Sequence, residues 1–142
     1  MKTQKSSFVT ILVTLFVTFS FAQEPATVTL VSSKNIKDAS ELVVDLDGEI
    51  ITETWNKDAI VRIVIEIKAD DVTREVVKHL IAERRFVVRT LPLEDGATLI
   101  YMPNVKLPAY INGVPVSENI SYRLLVPENV LVRIKTWDDH KS

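Results

Sequence analysis

The chain has 142 residues, 46% of them apolar, a formal net charge of −2 and no cysteine. The even charge balance excludes the clustered basic face that nucleic acid requires. The missing cysteine excludes a disulfide framework and a thiolate metal site.

The first 22 residues read as a secretory signal peptide. Lys2 and Lys5 give a positive start, Phe8 to Phe19 is apolar apart from three threonines, and Ser20-Phe21-Ala22 supplies small residues at the cleavage positions. Cleavage after Ala22 leaves 23–142 as a single β-rich domain. It also removes both lysines and takes the net charge to −4. No later stretch is long and apolar enough to span a membrane. A domain without disulfides depends on its core, and 120 residues suffice to bury one.

Strand signals then follow one another. Thr27 to Ser32 is rich in β-formers, and Glu41 to Asp47 alternates with Leu42, Val44 and Leu46 on one face. The stretch from Glu49 to Lys68 reads as a hairpin: an arm ending at Trp55, a turn at Asn56-Lys57-Asp58, and an arm carrying Val61, Ile63, Ile65 and Ile67 on one face. Asp47-Gly48 reads as a tight turn, which would make 41–67 a three-strand meander.

From Asp70 the period changes. Val72, Val76, Val77, Leu80 and Ile81 fall on one helical face, predicting an amphipathic helix at about 71–84. Asp70 or Asp71 is its expected cap, with Arg84 and Arg85 opposing the dipole at its far end. Strands resume at 86–91 and 97–102 around a turn at Glu94-Asp95-Gly96. Residues 103–119 are irregular, with Asn112-Gly113 set for a small hairpin, and strands follow at 120–126 and 130–137, separated by Pro127-Glu128-Asn129. The expected fold is therefore mainly β: about eight strands in a mostly antiparallel sheet, sandwich- or solenoid-like, with one helix.

Three stretches carry a family resemblance. They are Trp55-Asn56-Lys57-Asp58 with the following Val/Ile strand, Arg84-Arg85-Phe86-Val87-Val88 at the helix end, and Tyr110-Ile111-Asn112-Gly113 with the strand from Ile120 to Val130. Over roughly 41–136 this order resembles the N-terminal portion of a bacterial exported family of adhesin-like β-strand-repeat domains, the autotransporter adhesin head type. The resemblance implies a β-sheet or β-solenoid body in the Gram-negative envelope. It implies no catalytic residues.

No constellation declares a reaction. His79 stands alone against the three or four ligands that zinc takes, and Asp138-Asp139-His140 are adjacent residues of a polar tail. Asp45, Asp47, Glu49 and Glu53 form a possible calcium edge or, more simply, a solvated acidic face. There is no nucleophile elbow. The expectation is a non-enzyme with no catalytic residue, metal or cofactor, working as an exported interaction module in the periplasm or on the cell surface. Its partner would be an envelope protein or a second copy paired through edge strands. Trp55, Leu107, Tyr110 and Ile111 are the candidate contact residues, the last three because the 103–119 segment is long and apolar for a connection; the simpler reading of that segment is that its apolar side chains fold back as a lid over the sheet. The alternative is a periplasmic small-molecule or carbohydrate-binding domain that stacks its ligand on Trp55, Tyr101 or Tyr122.

Overall fold

The computed structural model describes residues 25–135, so the signal peptide and the tail with Asp138, Asp139 and His140 lie outside the described residues. Ten strands form: β1 (Ala26–Asn35), β2 (Glu41–Asp45), β3 (Glu49–Trp55), β4 (Ile60–Asp70), β5 (Arg89–Pro92), β6 (Thr98–Tyr101), β7 (Tyr110–Ile111), β8 (Val114–Pro115), β9 (Ser117–Pro127) and β10 (Leu131–Ile134). One α-helix, α1 (Arg74–Ala82), lies between β4 and β5, and a 3-10 turn (Pro103–Lys106) follows β6.

The described residues are mainly β with one α-helix, as periodicity leads one to expect. The strands build two four-stranded sheets, ordered β1-β4-β9-β3 and β10-β2-β6-β5, with β7-β8 as a separate ribbon. Both sheets are mixed. In the first, β9 pairs antiparallel with β4 and parallel with β3; in the second, β2 runs parallel to both β10 and β6. The two sheets share one core in a sandwich arrangement. Val61, Ile63, Ile65 and Ile67 of β4, with Ile120, Tyr122, Leu124 and Val126 of β9, meet Leu42 and Val44 of β2 and Ile100 of β6. The period-2 stripes of β4 and β9 match over nine consecutive register pairs, so each strand buries its apolar side with the other's.

That match overturns the central hairpin. β3 and β4 are antiparallel arms, but β9 lies between them and neither bonds the other. Two strand spacings are about 10 Å, which the four residues Asn56–Ala59 span with ease. The wide turn is held by the Trp55 indole N–H, which donates to the Ile60 carbonyl at 2.9 Å. The meander fails too. Asp47-Gly48 does not fold β2 back on β3; it carries the chain from the second sheet to the first. Turn residues announce a change of direction, whereas the strand met afterwards is settled by burial.

The helix is shorter than the spacing predicts. Its cap is Thr73, whose hydroxyl accepts from the Val76 N–H, while Asp71 adopts φ +59° and turns the chain before the helix. Val77 and Leu80 are buried, as the stripe requires. At the other end Arg84 takes φ +63°, the Arg84 N–H donates to Ile81 O and the Arg85 N–H to Leu80 O, a Schellman closure. Two expected turns form as read: Glu94-Asp95-Gly96 joins antiparallel β5 and β6, and Asn112-Gly113, both at positive φ, closes β7 on β8. Residues 86–88 are irregular rather than extended, yet Phe86 and Val88 enter the core.

Candidate functional site

The segment 103–116 stands as a lobe at the end of the sandwich where β9 begins. Two ties fix it. Arg85, just past the helix, turns inward and meets Glu118 at the start of β9; its Nε lies 2.9 and 3.0 Å from the two carboxylate oxygens, and its Nη2 also donates to Oε1. Both side chains are almost wholly buried, at 11% and 7% exposure. The remaining guanidinium nitrogen, Nη1, donates to the carbonyls of Asn104 and Leu107 at 3.1 and 2.7 Å. Asn104 in turn donates to the Arg84 carbonyl, so the 3-10 turn and the helix end hold each other. The second tie is Lys106, whose Nζ lies 3.2 Å from the buried carboxylate of Asp45 on β2. Within the lobe the Val116 N–H donates to the Ala109 carbonyl.

Arg85 therefore does not serve the helix dipole; it is the buried staple of the lobe. Periodicity could not reveal a partner 33 residues away. One signal was present all the same. Glu118 stands in phase with Ile120, Tyr122, Leu124 and Val126, and a carboxylate on a core stripe demands a cation.

On this fixed platform the apolar residues divide. Val105, Ala109 and Val116 pack against the core. Leu107, Tyr110 and Val114 stand 65%, 59% and 64% exposed, and Ile111 is half-buried. An open groove of about 560 Å³ runs beside them, walled by Leu80, Leu107, Tyr110 and Ile111, with His79 and Glu83 on its rim. The His79 Nε2 lies 3.8 Å from Glu83 Oε1. Three of the four candidate contact residues thus come together. Trp55 does not join them: it lies beside Pro127 at the far end of β9, with the Arg62 guanidinium 5.0 Å above its ring.

Of the three aromatic residues read as alternative stacking surfaces, burial removes one. Tyr122 is 3% exposed inside the core and presents no face to a ligand, and Trp55 and Tyr101 belong to different sheets. The Tyr122 hydroxyl is buried without a hydrogen-bond partner. Burial first, then the carboxylates of Asp47 and Glu118, push its ionisation well above the ordinary value of 10. An orphaned hydroxyl costs stability, so Tyr122→Phe is expected to raise the unfolding free energy by about 1 kcal/mol at neutral pH. The sign in alkali follows from linkage. The unfolded phenol loses its proton near 10 and the buried one holds it, so Tyr122 contributes a loss of stability that begins above pH 10. Tyr122→Phe removes that contribution. Urea melts at pH 7 and above pH 10 check both effects, and a less stable variant would show that the hydroxyl has a partner.

Among the described residues no three His, Asp or Glu side chains gather as a metal site. The acidic quartet is dispersed, with Asp45 turned to Lys106 and Glu53 3.9 Å from Arg123. No helix among the described residues is long and apolar enough to cross a membrane. Compared with family models, curated proteins and solved structures, the chain matches none of them.

Proposed function

We propose that the protein is an exported, non-enzymatic interaction module of the bacterial cell envelope, with the lobe 103–116 as its contact surface for an apolar segment of an envelope protein. One observation carries the reading. Leu107, Tyr110 and Val114 point to solvent from a segment that a buried ion pair holds in place. A loop that merely covered the core would turn such side chains inward, as Val105, Ala109 and Val116 do. A fixed platform also loses little conformational entropy on binding, which favours affinity. Export rests on the leader at 1–22, and the open edges of the two sheets supply a further means of association.

The test is the pair Leu107→Asp and Tyr110→Asp. Both side chains are exposed, so the melting transition is expected to move by no more than about 0.5 kcal/mol. Recovery of the envelope partner in cross-linked cells is expected to fall by at least tenfold, which corresponds to about 1.4 kcal/mol. Undiminished recovery with both substitutions in place would remove the lobe from the account. Small-molecule binding draws support from the groove beside the lobe. It predicts that one ligand class shifts the Tyr110 and Ile111 amide resonances saturably.

A further inference from the structure

Among the described residues the two four-stranded sheets leave four strand edges open, and three of them are poor templates. β5 and β10 have four residues each, and β5 ends in Pro92. β3 carries Glu49 and Glu53, and a two-fold pairing about Ile51 would set each against the other in the second copy. The edge of β1 has none of these guards along its strand, and α1 packs against β1 with Val77 and Leu80 in the shared core. The strand runs ten residues in unbroken register with β4, without bulge, proline or glycine, and has no charge before Lys34. On its outer side Val31 is 62% exposed. On its core side Val28 and Leu30 are only half-buried, and among the described residues no strand pairs with this edge.

We infer that β1 is a self-pairing edge, and that two copies of this chain join antiparallel about Val31 into one eight-stranded sheet. The inference deepens the edge-strand part of the proposed function by naming the strand and its partner. In this register Val31 faces Val31, Leu30 faces Ser32, Thr29 faces Ser33 and Val28 faces Lys34. No like charges oppose. On the core side Leu30 meets Ser32 and Val28 meets Lys34, so the apolar pair of the contact is Val31 against Val31 on the outer side. The contact is isologous and closes on itself, which yields a dimer rather than a fibre.

The purified protein should show the mass of two chains in sedimentation equilibrium at high concentration and of one chain on dilution. Val31→Lys places two ammonium groups face to face and should hold the protein monomeric with an unchanged circular dichroism spectrum. Because the chain has no cysteine, Val31→Cys gives a clean second readout. Opposed residues of an antiparallel pair lie about 4.5–5.5 Å apart at Cα, within disulfide reach. Mild oxidation should therefore link that variant into a covalent dimer and leave Glu53→Cys on β3 monomeric. A protein that stays monomeric at every concentration, or a Val31→Cys variant that links no faster than Glu53→Cys, overturns the inference. The lobe substitutions Leu107→Asp and Tyr110→Asp should leave the dimer intact, so the two surfaces fail or stand separately.

Discussion

Replacing Glu118 by Ala is expected to lower the unfolding free energy by about 3–5 kcal/mol, the usual cost of stranding one member of a buried ion pair. Arg85 is 11% exposed and would keep the carbonyls of Asn104 and Leu107 and the Phe86 ring 6.0 Å away, with no anion among these contacts to set against its full positive charge. Arg85→Ala should cost a similar amount by stranding the carboxylate. Replacing both, as Arg85→Met with Glu118→Leu, should recover most of the loss, because removing two buried charges together lifts their desolvation penalty. The double variant also separates fold from function. Its global stability returns, but the carbonyls of Asn104 and Leu107 lose their donor. Amide exchange at 104–107 should then quicken while that of β4 and β9 does not. Urea denaturation measures the first effect and hydrogen exchange the second. A Glu118→Ala protein destabilised by less than about 1 kcal/mol would mean that the pair is solvated and the lobe only loosely held.

The second large effect is expected at Gly48, where the chain passes from the second sheet to the first. Its φ is +142°, and an added Cβ would sit 2.1 Å from the Ile120 carbonyl oxygen and 3.2 Å from the Tyr122 ring. The obstacle is the backbone of β9 itself, which cannot swing aside. Gly48→Ala is therefore expected to cost at least about 3 kcal/mol, from overpacking and backbone strain together. Gly96→Ala isolates the backbone part, since that glycine also has positive φ but nothing within 4 Å of its missing Cβ. The difference between the two midpoints in urea reports the close approach. Equal losses would show that the crossing has room to spare.

These two sites show what the sequence made legible and what it did not. Strand stripes, the helical stripe of Val77 and Leu80 and the Asn112-Gly113 hairpin are local, so the residues themselves carry the signal. The order of strands is not local. Asp47-Gly48 and Asn56-Lys57-Asp58 mark turns correctly, yet one changes sheets and the other steps over β9. Nothing in a turn records which strand will fill the gap. Apolar residues in the 103–119 segment were visible as apolar, but their division into Val105 and Val116 inward and Leu107 and Tyr110 outward depends on where Arg85 pins the backbone. Trp55 reads as a contact or stacking residue in the sequence; its distance from the lobe follows from the length of β9, which separates the two ends of the sheet.

The measurement that bears most directly on the lobe as a contact surface is photo-cross-linking in native cells, with a photoreactive residue at Tyr110 and, as comparison, at Lys57 in the wide turn at the other end of the sheet. The account predicts one discrete adduct of stoichiometric yield from position 110 and none from position 57. No adduct from position 110, or the same adducts from both positions, would contradict it.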